Sequence, residues 1–85
     1  MKVTEHFKER LKERFGYEID TLLLDFKNRK NEMIMLNKNS MELDWFPYLK
    51  NSFKKHPNSV LILIENLNLC IVSERKVLKT CYEIN

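Results

Sequence analysis

His6, Arg10 and Arg14 stand four residues apart in the opening stretch MKVTEHFKERLKERFG, a spacing that stacks them along one edge of a helix. An imidazole can give or take a proton near neutral pH. Two guanidiniums one turn apart can fork onto a phosphate or a carboxylate. That edge could therefore hold a substrate phosphate or an acidic partner protein. The plainer reading is a solvated face, with Arg10 and Arg14 paired to Glu9, Glu13 or Glu18, since exposed pairs of this kind are common and individually weak. A second candidate is Thr80-Cys81-Tyr82, which follows the basic turn residues Arg75 and Lys76. The Tyr82 hydroxyl could serve a site on a sheet, but its ring could equally pack beside Leu78 and Ile84. Strand parity sends Lys79 and Tyr82 to opposite faces, so they share a site only if a bulge intervenes. The third cluster is Trp45-Phe46-Pro47-Tyr48 with Phe53. Such aromatics can stack bases, or simply form the buried side of a helix with one ring at the rim.

Several chemistries are excluded. There is no phosphate-binding Gly-rich loop, no GxSxG elbow, no paired catalytic carboxylates and no Cys–His nucleophile signature. The two His and two Cys never fall at zinc-ligand spacing, so neither a metal nor another cofactor is implied. The chain has 15 Lys and Arg against 12 acids, net +3. That excess is too mild for nucleic-acid binding by bulk charge alone. No signal peptide is visible, and the longest apolar run, residues 60–64, is far too short to cross a bilayer. A cytoplasmic location with reduced, dispensable thiols at Cys70 and Cys81 is the expectation. Heavy use of Lys, Asn and Ile points to an AT-rich bacterial or phage genome.

Local patterns along the chain set the helices and strands that carry these side chains. Thr4 is a good N-cap and Gly16 a natural left-handed stop, with Phe7, Leu11 and Phe15 as the apolar seam between them. A second helix is predicted over residues 18–28 from Ile19, Leu22, Leu23 and Phe26. Residues 32–36 read as a short strand and residues 37–40 as a turn. From Asp44 the spacing of Trp45, Leu49 and Phe53 predicts a third helix, which Lys54, Lys55 and His56 close and Pro57 stops. Three strands follow, over residues 59–64, 69–73 and 77–84, joined by turns short enough to force an antiparallel meander. Alternation then puts Leu78, Thr80, Tyr82 and Ile84 together on the face that meets the helices. The chain is thus expected to be a single α+β domain, residues 1–85, with two or three helices packed on a three- to four-stranded antiparallel sheet.

An N-terminal His-x-x-x-Arg-x-x-x-Arg helix ending in Phe-Gly, followed by helices and a meander with a Thr in its last strand, resembles a group of small phage- and plasmid-borne domains. These are related to the RelE and BrnT toxins of the barnase–EndoU–colicin–RelE nuclease superfamily. The matching residues are His6, Arg10, Arg14 and Thr80, with Tyr82 a looser match. The resemblance implies RNA cleavage, or binding by an inactive member. The sheet half lacks the dense Arg/Lys/Tyr set of an active toxin, and the Trp45 helix has no counterpart there.

Two functions are therefore expected, in this order. The first is a small phage-encoded inhibitor or adaptor that binds a host or defence protein through the basic helix or an exposed sheet edge. The second is a RelE-like, metal-independent ribonuclease or RNA-binding domain. The candidate catalytic residues are His6, Thr80 and Tyr82. The candidate binding residues are His6, Arg10, Arg14, Arg75 and Lys76.

Overall fold

A computed structural model describes residues 2–84, the side chain of Tyr48 excepted. Strand β1 (Lys2–Val3) leads into helix α1 (Glu5–Phe15), and α2 (Ile19–Lys27) follows. Strand β2 (Ile34–Leu36) comes next, then 3-10 turns over Met41–Trp45 and Pro47–Asn51 and the one-turn helix α3 (Ser52–Lys55). The chain finishes with β3 (Val60–Ile64), β4 (Leu69–Glu74) and β5 (Val77–Glu83). The sheet has five strands in the order β1-β5-β4-β3-β2. All neighbours are antiparallel except β1, which runs parallel to β5.

The α+β class and the C-terminal meander are as expected, but the sheet is larger and mixed. Two-residue β1 shows no periodicity that a sequence could reveal, so residues 2 and 3 read only as the approach to the helix. The predicted third helix is also corrected. Pro47 interrupts the stretch, and two 3-10 turns and a single α-turn take its place. Trp45 is 74% exposed and Phe53 is buried, a division that matches a buried side with one ring at the rim.

Helix α1 forms where Thr4 and Gly16 place it. The Thr4 hydroxyl accepts the Phe7 N–H at 3.0 Å and donates to the Lys79 carbonyl at 2.8 Å. One side chain thus caps the helix and ties it to β5. Gly16 closes the other end at φ 64°, in the left-handed region. Beyond it, the Tyr17 hydroxyl donates to the buried Asp25 carboxylate of α2 at 3.0 Å, which ties the linker between the helices to the second of them.

The sheet is apolar on both faces, which explains the continuous hydrophobic runs of β3 and β4. Phe7, Leu11 and Leu22 from the helices bury Ile62, Ile64, Leu69, Ile71, Leu78 and Cys81 on one face. Leu43, Leu49 and Phe53 from the 3-10 region cover Leu61, Leu63, Cys70, Val72 and Ile84 on the other.

A bulge breaks the parity read for β5 at Leu78, while Thr80, Tyr82 and Ile84 keep a common face. Val72 pairs with Thr80 but its neighbour Ser73 pairs with Leu78, so Lys79 is an extra residue. The slip moves Leu78 to the α1–α2 face with Cys81, while Thr80, Tyr82 and Ile84 face the 3-10 layer.

Candidate functional site

The predicted site residues fall in three places. His6 and Arg14 are exposed and Arg10 half-buried on α1, whose Phe7 and Leu11 anchor it to the Leu78–Cys81 face. Among the described residues the ion pairs are Lys8–Glu5 at 3.2 Å, Lys12–Glu18 at 3.3 Å and Lys50–Asp44 at 3.1 Å. None involves Arg10 or Arg14, and Glu18, one of their expected partners, is held by Lys12. Both guanidiniums act on Cys81. Burial pushes that thiol up to about 11, against a pull downward from the charges of Arg14 and Arg10.

Beside this stripe lies an open sheet edge. Strand β1 pairs only with Val77 and Leu78, and Thr4 bonds the Lys79 carbonyl, so no described strand covers the outer side of β5 from Thr80 to Glu83. Such an edge is a template for one more strand.

Thr80 and Tyr82 open onto the other face. With Val72 they floor a cleft of about 340 Å³ under Asn51, Ser52, Lys55 and His56. The sheet stands between this cleft and α1, so Thr80 and Tyr82 do not meet His6. The histidine beside them is His56, which the sequence offers only as a helix-closing residue. Ser59 fixes its backbone, donating to the His56 carbonyl through both N–H (3.1 Å) and hydroxyl (2.7 Å). Nothing in the spacing of residues 51–56 and 72–82 announces the cleft, because the bulge and two 3-10 turns bring them together.

Arg75 and Lys76 form the third place. They are the central residues of the β4–β5 hairpin, at φ 54° and 63°. This is the conformation that favours Asn and Gly. They border a hollow of about 440 Å³ floored by Met35, Val60 and Ile62. Met35 there is 64% exposed.

Cys70 and Cys81 are buried, unbridged thiols. Burial raises Cys70 to about 12, with a hydrogen bond from Tyr82 pulling the other way. Two protonated thiols inside the two cores fit packing rather than nucleophilic chemistry. Among the described residues no three His, Cys, Asp or Glu side chains could hold a metal ion. No helix among them is long and apolar enough to cross a membrane. Comparison with protein-family models, with curated proteins and with solved structures finds no match to this chain.

Proposed function

We propose that the protein is a binding domain that docks an extended, acidic segment of a partner protein across α1 and the open edge of β5. The observation that carries this is the pair Arg10 and Arg14, free of ion pairs among the described residues and next to a strand edge that no described strand covers. Strand addition supplies main-chain hydrogen bonds and the guanidiniums select carboxylates, so affinity and charge specificity come from adjacent groups. This is the contact a small phage-encoded inhibitor or adaptor would make with a host or defence protein. A RelE-like ribonuclease would have to work from His6, Arg10 and Arg14 alone, since Thr80 and Tyr82 lie across the sheet.

The test is a titration of isotope-labelled protein, followed by NMR, with two probes. One is an extended peptide alternating Val and Glu, the other a ten-residue RNA. The peptide should shift β5 and α1 amides, and Arg10→Ala with Arg14→Ala should weaken it by about tenfold or more, a loss of about 1.4 kcal/mol. The proposal falls if the RNA binds or is cut while the peptide leaves the spectrum unchanged.

A further inference from the structure

We infer that the cleft between α3 and strands β4 and β5 binds a small phosphate monoester with an apolar body. This site is independent of the docking surface proposed above and lies on the opposite face of the sheet. Three observations carry it.

The first is the chemistry of the lining. Lys55 supplies a cation, His56 an imidazole N–H, Ser52 and Thr80 hydroxyls and Asn51 an amide, while among the described residues no carboxylate lines the cleft. A cavity with a cation, several donors and no anion selects negative charge.

The second is that these groups are unspent. Among the described residues none of the side chains of Asn51, Ser52, Lys55, His56 and Thr80 takes part in a hydrogen bond or ion pair within the protein. The donors come from two elements, α3 with its preceding turn above and β5 below, so they can surround a tetrahedral group. A planar carboxylate has only two oxygens to offer them. A phosphate monoester has three terminal oxygens and close to two negative charges, and uses more of the set.

The third is size and floor. Val72 and the ring of Tyr82 give the cleft an apolar base, and about 340 Å³ is near the lower end of small-molecule pockets. The ligand is thus a compact phosphate ester carrying one ring or a short chain, with the apolar part on the ring of Tyr82 and the phosphate toward Lys55, His56 and Thr80.

The experiment uses the whole protein and three probes followed by NMR: phenyl phosphate, inorganic phosphate and benzyl alcohol. Phenyl phosphate should shift the amides of Ser52, His56, Thr80 and Tyr82 and bind about tenfold tighter than inorganic phosphate, since it alone uses both ends of the cleft. Benzyl alcohol should bind more weakly than either. Lys55→Gln, at an exposed position, should weaken phenyl phosphate severalfold with an unchanged melting temperature. Thr80→Val should do the same, and Arg10→Ala with Arg14→Ala should leave it unaltered. The inference is overturned if the shifts map to α1 or to the Arg75–Lys76 hairpin, if Lys55→Gln and Thr80→Val leave affinity unchanged, or if no shift occurs at millimolar probe.

Discussion

The two faces of the sheet are covered in unlike ways. On one, α1 and α2 bring regular helices. Helix α1 has an N-cap that accepts a backbone N–H and a left-handed glycine at its end. On the other, 3-10 turns and a four-residue helix have no side-chain cap bond at all. A 3-10 turn has poorer hydrogen-bond geometry and no reserve of local stability. The second layer is therefore held by what Leu43, Leu49 and Phe53 bury against the sheet. The lesson is that a segment can be ordered with almost no local preference for its conformation, provided an apolar sheet needs covering.

Truncating one large side chain in each layer should have the largest effect on stability. Phe7→Ala should cost about 3–5 kcal/mol, because a capped helix cannot follow the shrinking side chain and a cavity remains. Phe53→Ala should cost about 2 kcal/mol, because a loosely held turn can collapse into the space. Urea unfolding of both variants measures the difference, and equal costs would show that the two layers are equally rigid.

The thiols are divided between the two layers, since Cys70 lies in the 3-10 core and Cys81 under α1. Both are raised on folding, from 9.0 to about 12 and about 11. The folded state therefore prefers the protonated forms, and their contribution is complete below about pH 9. It is lost as pH climbs through the folded values, because the unfolded chain releases those protons first. The urea midpoint should fall between about pH 9 and 12. Replacing both cysteines by alanine should remove that part of the fall. Tyr17, raised by burial and by the hydrogen bond to Asp25, adds to the decline in the same direction.

The smaller effects concern backbone handedness. Gly16→Ala meets no neighbouring atom but keeps φ 64°, so it should cost about 1 kcal/mol from the left-handed conformation alone. The hairpin offers the reverse case. Arg75→Asn with Lys76→Gly should stabilise by about 1 kcal/mol, because both positions already hold left-handed backbone. Melting temperatures of the two variants should move in opposite directions. A destabilised hairpin variant would mean that the two cations make contacts worth more than the backbone strain.

What could be read in advance follows the same division. The ends of α1 were legible at Thr4 and Gly16, because capping is a local matter. The meander was legible because β-branched runs alternate with short turns. Three things were not. The β1 pairing rests on two residues, the 3-10 layer answers to the sheet rather than to its own spacing, and Lys79 inserts one residue into a pattern of period two. That single insertion hid the cleft, by turning Thr80 and Tyr82 away from His6 and toward His56.

The hydroxyl of Thr4 bonds to the carbonyl of Lys79 across 75 residues of chain. Its consequence is one of timing. Helix α1 is synthesised before the strands that bury Phe7 and Leu11, so this seam stays exposed until β4 and β5 exist. Closing so long a loop is entropically slow, and its contacts come late. The cap that starts the first helix is thus also among the last bonds to form, and folding should be slower than the helix content suggests.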